Sequence, residues 1–141
     1  MKFSKRVHYG LVFLVQMHYA WPGYKAVKEL ADADDLPHKF LESIAADFRK
    51  GSFVEVKRGP QGGYRLARPL KEITFLEVLR CLDPEWERQK EDNRSGKPTK
   101  QEIAEQFLTQ TSQAVDKVFG EITLDALPAL NREEGALMYH I

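Results

Sequence analysis

Cysteine is almost missing from this chain: Cys81 is the single thiol in 141 residues. An intrachain disulfide is therefore excluded, as is a four-cysteine zinc site, and a cytoplasmic setting is expected. Long apolar runs are missing too. The stretch from Tyr9 to Val15 falls far short of the roughly 20 residues that span a bilayer. It has no small-residue cleavage pattern, is followed by His18, and reads as a buried helix rather than a secretory signal. No membrane partner is expected. Net charge is also zero, but unevenly so: residues 1–71 carry 13 Lys and Arg against 7 Asp and Glu, and residues 72–141 carry 8 against 14. A basic first half and an acidic second half point to a polyanion met by the first half alone, although charges spread over a solvated surface give the same count.

Catalytic signatures are lacking as well. There is no nucleophile–base pair, no phosphate-binding loop ahead of a helix and no metal-ligand spacing. Neither enzymatic activity, nor a cofactor, nor a metal site is expected.

What is present suffices for a core: 43% of the residues are hydrophobic, ordinary for one domain or one domain with an appended helix. Residues 4–20 read as an amphipathic helix capped by Ser4, with Val7, Leu11, Leu14, Val15 and His18 at helical spacing. Pro22 and Gly23 end it. A short helix is predicted from Lys25 to Asp32, with Ala26, Val27, Leu30 and Ala31 inward. Asp34 or Asp35 is expected to cap a third helix, with Pro37 in its first turn. That helix buries Phe40, Leu41, Ile44, Ala45 and Phe48, and Gly51 closes it. Two alternating segments, 53–58 and 64–68, flank the turn Gly59-Pro60-Gln61-Gly62-Gly63 and predict a β-hairpin. Thr74 is placed to cap a fourth helix, Phe75 to Leu82.

Residues 83–98 hold most of a densely charged stretch with Pro84, Gly96 and Pro98, and read as a mobile loop. A long helix then runs from Thr99 or Lys100 to Phe119, ended by Gly120, and a last short one from Leu124 to Leu130. Residues 131–141 carry no strong signal. The predicted organisation is thus mainly α with a small β-hairpin: three helices, the hairpin and a fourth helix over 1–82, a charged loop over 83–98, a long helix and a short helix over 99–130, and a tail.

Three helices followed by a hairpin within about 65 residues is the order of a winged helix-turn-helix, whose third helix must bury one face and offer the other to the major groove. The free face carries His38, Lys39, Ser43 and Asp47; His and Ser reach base edges, and Lys39 a phosphate or a guanine. Lys57 and Arg58 lie on one side of the glycine-rich tip, Arg65 and Arg68 on the other. Arg58 is placed to enter a narrow minor groove. Lys2, Lys5 and Arg6 add phosphate partners beside Ser4.

The run Phe48-Arg49-Lys50-Gly51-Ser52-Phe53-Val54, leading into Arg58-Gly59-Pro60-Gln61-Gly62-Gly63-Tyr64-Arg65-Leu66-Ala67-Arg68-Pro69, resembles the wing signature of the IscR–NsrR–CymR regulators, the Rrf-two family. Met1-Lys2-Phe3-Ser4 with Tyr9, Phe40-Leu41-Glu42 and Ile122-Thr123-Leu124 resemble that family's opening, recognition helix and C-terminal segment. The resemblance implies a homodimeric repressor or activator that binds double-stranded DNA through two winged helices, with a long crossing helix between subunits. It places DNA contacts on Pro37, Lys39, Phe40 and Ser43 and on Arg58 to Gly62, in a wing that continues into Tyr64. Pro37 and Lys39 stand where small hydroxyl residues are common, so the family's operator sequences do not carry over. The expected dimer contacts are Ile103, Phe107, Leu108, Val115, Val118 and Phe119, with Phe107 and Leu108 serving two faces, one inward and one toward the partner. Iron–sulfur members carry three cysteines in the loop before the long helix. None lies between Asp83 and Lys100 here and Cys81 comes too early, so no cluster of that type is expected.

Plainer roles compete for the remaining candidates. Cys81 reads as a small buried hydrophobe rather than a redox switch. His8 and His18 lie on nearly opposite helix faces and read as structural. Trp21 and Tyr24 close a corner, while Trp86 needs a surface to rest on. A small-molecule or redox effector is left open. The alternative to DNA binding is a winged-helix module that binds another protein.

Overall fold

The computed structural model describes residues 2–88 and 96–131, without the side chains of 87 and 88. Helix α1 (Lys5–Ala20) starts where Ser4 Oγ accepts the Val7 N–H at 3.2 Å. Its buried stripe is Val7, Gly10, Phe13, Leu14 and Met17, so the helix is rotated from the predicted face: Leu11 and Val15 are half-buried and His18 is exposed. Gly10 explains the rotation. A Cβ there would collide with Leu82 and lie 3.2 Å from the Phe48 ring; the bare backbone lets α1 close onto the helices behind it, and Phe13 and Met17 follow inward.

Helix α2 (Val27–Ala33) begins two residues later than predicted because Lys25 is used elsewhere, as described below. Helix α3 (His38–Lys50) buries Leu41, Ile44, Ala45 and Phe48, with Arg49 and Lys50 in the last turn where cations suit the helix dipole. The expected aspartate cap is not made. Asp34 instead accepts from Gln16 Nε2, and Asp35 turns the chain at φ +52°. Pro37 is itself the N-cap residue, with no side-chain cap bond. His38 Nε2 pairs with Asp32 Oδ1 at 2.8 Å and ties α3 back to α2.

Strands β1 (Val54–Lys57) and β2 (Gly63–Leu66) pair antiparallel, Val54 opposite Leu66 and Lys57 opposite Gly63. Lys25, in the corner between α1 and α2, adds a rung on the other edge of β2: its N–H donates to Tyr64 O at 2.9 Å and its carbonyl accepts from Tyr64 N–H at 2.8 Å. A Cβ at Gly63 would strike the Lys25 carbonyl, so this close approach needs glycine.

After a 3-10 turn at Leu70–Glu72, α4 (Phe75–Leu82) opens with a reciprocal capping box between Thr74 and Glu77. Part of the predicted loop is helical. Pro84–Arg88 forms α5, held by the Trp86 indole against α6 (Lys100–Glu121); the rest of that loop, 89–95, lies outside the described residues. Thr99 and Glu102 make a second capping box at the start of α6. That helix runs past Gly120 and stops at Ile122, whose carbonyl accepts from Phe75 N–H at 2.8 Å, while Thr74 and Thr123 form a bridge. This bridge takes Leu124 out of the last helix, α7 (Ala126–Ala129), and buries it. The predicted tail, apart from Asn131, lies outside the described residues. Phe13, Phe48, Leu14, Met17, Leu41, Ile44, Leu79 and Leu82 are among the fully buried side chains of one core shared by α1, α3 and α4. Among the described residues no helix is long and apolar enough to cross a membrane.

Candidate nucleic-acid interface

Burying the Leu41–Phe48 face of α3 leaves His38, Lys39, Glu42, Ser43, Ala46, Arg49 and Lys50 exposed. Among the described residues Lys39, Arg49 and Lys50 have no ion-pair or hydrogen-bond partner, so their charge faces outward uncompensated. Arg49 and Lys50 fall within the wing signature, but the sequence does not single them out as contacts.

Arg6, expected to face phosphates, is turned onto α3. Its Nη2 donates to Ser43 O at 3.3 Å, to Ser43 Oγ at 3.1 Å and to the Asp47 carboxylate. Its guanidinium also sits 5.8 Å from the centre of the Phe40 ring. Asp47 is therefore engaged with Arg6 rather than offered to a base. Phe40 is half-buried, edge-on to Tyr9 at 5.5 Å; as an i+3 neighbour of Pro37 on the rim of the core stripe, it packs rather than projects. Lys2, Ser4 and Lys5 are exposed beside this array, with the Ser4 hydroxyl taken by its cap.

The end of α3 passes directly into the hairpin, Phe53 N–H donating to Phe48 O at 2.9 Å. Lys57, Arg58, Gly59, Pro60 and Gln61 are exposed at the tip, Gly62 half-buried. Gly62 N–H donates to Gly59 O at 2.9 Å, and a Cβ on Gly62 would run into the Lys57 carbonyl. Arg58 has no ion-pair or hydrogen-bond partner among the described residues.

The other wing cations are engaged within the chain. Arg65 pairs with Glu55 at 2.9 Å and lies over the rings of Tyr24 and Trp21, 4.6 and 5.0 Å from their centres; Lys57 sits over Tyr24 at 5.6 Å. Arg68 pairs with Glu77 at 3.0 Å and covers Phe53. Tyr64, expected among the DNA contacts, is half-buried with its ring 6.2 Å from Phe13, because its position in β2 points toward the core.

On α6, Ile103, Phe107, Leu108 and Val118 are exposed, Phe107 at 66% and Leu108 at 63%, and Val115 is half-buried. Both Phe107 and Leu108 thus face out, against the expectation that one turns inward. Among the described residues no helix covers Ile103, Phe107 or Leu108. Phe119 is corrected in the other direction: its ring packs on Phe75 at 5.2 Å, Trp86 at 5.6 Å and Phe3 at 6.0 Å, inside the subunit.

Cys81 lies half-buried under α3, its thiol donating to Asp47 O at 3.4 Å. Burial, and then the charge of Asp47, push this thiol up to about 11, against a smaller opposing effect of Arg6. Such a group stays protonated at neutral pH.

A family model described as Rrf2, iron-dependent transcriptional regulator, matches residues 3–129, and the chain belongs to that family of transcriptional regulators. A Mycobacterium tuberculosis protein named as an HTH-type transcriptional regulator is 40% identical over 85 residues, 59% of this chain and 52% of that protein. The chain therefore spans about half the length of that relative. CymR of Bacillus subtilis, also named an HTH-type transcriptional regulator, is 27% identical over 143 residues and the full length of both chains. Among solved structures, IscR of T. potens superposes with a TM-score of 0.72 at 25% identity, over 94% of this chain and 90% of that one. B. subtilis CymR, described as the global cysteine regulator, superposes with a TM-score of 0.69 at 23% identity, over 90% and 95%. Mostly helical with a two-stranded wing, this fold matches theirs.

The description of the family raises iron as a bound group. The donor set here does not suit a thiolate-ligated centre: one cysteine exists in the whole sequence, and it is half-buried with a raised pKa. Among the described residues no three His, Cys, Asp or Glu side chains gather as metal ligands.

Proposed function

We propose that this chain binds operator DNA sequence-specifically as a twofold dimer, with α3 in the major groove and the wing on the adjacent minor groove or backbone. The observation that carries the reading is that these two consecutive elements together present exposed cations with no ion-pair or hydrogen-bond partner among the described residues: Lys39, Arg49 and Lys50 on α3 and Arg58 at the wing tip. Cations on a protein surface without carboxylate partners are what phosphate contacts need. Lys2 and Lys5 extend the set, and His38, Ser43, Pro60 and Gln61 supply shape and polar contacts.

The dimer is supported by the uncovered apolar stripe Ile103, Phe107, Leu108 and Val118 on α6. Burying each such side chain is worth about 1.5–3 kcal/mol. The activity is binding and not catalysis, carried out in the cytoplasm where the DNA lies, and it proceeds without a cysteine-ligated cluster.

The test is selection of binding sites from randomised duplexes, followed by titration of the selected duplex at several salt concentrations. The expected site is near-palindromic, with half-sites one helical turn or a multiple of it apart. Arg58→Ala should weaken binding and make the logarithmic salt slope shallower by about one for each phosphate it no longer neutralises. Recovery of no enriched sequence would sink the proposal.

A further inference from the structure

The side chain that links α1 to the exposed face of α3 is Arg6. Its Nη2 reaches the Ser43 hydroxyl oxygen, the Ser43 carbonyl and the Asp47 carboxylate together, although 37 and 41 positions separate these residues. A hydroxyl has one proton to give and two lone pairs to receive with. One lone pair of Ser43 Oγ is taken by a cationic donor, and among the described residues no acceptor takes its proton. A hydrogen bond received from a cation polarises the hydroxyl, strengthening it as a donor and weakening it as an acceptor. Ser43 is exposed, one helical turn from Lys39.

Resting on the DNA-binding reading above, we propose that Arg6 is a specificity-determining positioning residue: it holds Ser43 as a hydrogen-bond donor toward the major groove, so that this position of the recognition helix selects a base presenting an acceptor. The acceptors available there are purine N7, guanine O6 and thymine O4; the amino groups of adenine and cytosine are disfavoured. Because Asp47 holds the Arg6 charge, Arg6 contributes to base choice and not to phosphate affinity. A lone serine on this face of α3 would tolerate either polarity; the arginine removes that tolerance.

Site selection from randomised duplexes, run in parallel on the wild-type chain and on Arg6→Gln, Ser43→Ala and the double variant, tests this directly. With wild type, one base-pair column should show acceptor preference. Ser43→Ala and Arg6→Gln should each flatten that same column, lowering discrimination there by about five- to tenfold, with the remaining columns unchanged. The double variant should fall no further than either single variant, the mark of two side chains acting through one interaction. The salt slope of Arg6→Gln should equal that of wild type. Asp47→Ala, which releases the guanidinium, should flatten the same column and stands in if Arg6→Gln does not fold by circular dichroism.

The inference is overturned if Arg6→Gln, or Asp47→Ala in its place, keeps the column that Ser43→Ala loses. It is equally overturned if Arg6→Gln makes the slope shallower by about one per subunit, because Arg6 is then a phosphate contact. Failure of wild type to enrich any sequence removes the DNA reading itself, a result separable from both of these.

Discussion

The Trp86 indole N–H donates to Asp116 Oδ1 across 2.8 Å, and this bond joins the short helix α5 to the middle of α6. Asp116 is only 8% exposed, the one buried charged side chain among the described residues, with Arg80 Nη2 4.0 Å away. The indole face meanwhile rests on Phe119. Trp86→Phe keeps a ring on Phe119 but withdraws the donor. It should cost about 1.5–3 kcal/mol, the usual range for a hydrogen bond to a charged group, read as a lower urea midpoint at unchanged slope.

The exposed stripe of α6 makes a prediction about assembly. Phe107→Asp should leave the winged-helix half folded by circular dichroism and shift the chain toward monomer in sedimentation velocity. Operator affinity should drop with it, since each half-site is then bound alone. A full dimer in that variant would place the subunit contact elsewhere.

The capping box at α4 makes stability depend on acid. Burial raises the Glu77 carboxyl, but the Thr74 backbone N–H, the Arg68 guanidinium and the Thr74 hydroxyl outweigh it and hold the group below its ordinary 4.5. A carboxyl lowered by folding stabilises fully above its unfolded pKa and loses that contribution as pH falls through the folded value. Glu77→Gln should therefore melt below wild type at pH 7, and the gap should close as the pH drops beneath about 4.5. A gap that stays constant down to pH 3 would mean the charge is irrelevant to the cap.

Cys81 should resist thiol reagents in the native state. With its pKa near 11, little thiolate exists at pH 8 and the group is half-covered by α3. Modification by a chromogenic disulfide should run many times slower in buffer than in denaturant. Rapid native reaction would instead expose a switch under the recognition helix.

What is legible in the sequence is whatever is carried by neighbours along the chain. Ser4, Thr74 and Thr99 announce their helices because a cap is built from residues three apart. The Gly59–Gly63 turn is readable for the same reason. The family signature brings the wing and the long helix into one architecture. Elements stabilised from afar are not legible. Helix α5 lies in a stretch whose composition spells loop, and Asp116, thirty positions on, receives its tryptophan. Arg6 reads as a free cation until the fold brings Asp47 beside it. The outward turn of both Phe107 and Leu108 depends on which helices lie behind α6, which periodicity along one helix does not reveal.

The rung that Lys25 adds beside Tyr64 has a consequence for how a duplex is met. A hairpin of two short strands alone would flex, and docking would spend entropy to still it. Here the prong is riveted to the helical corner and braced by Arg65 between Trp21 and Tyr24, which leaves it less freedom to lose on docking. On the DNA-binding reading proposed above, the nucleic acid does the bending, and sites whose sequence yields easily at the prong are favoured even where no side chain touches a base.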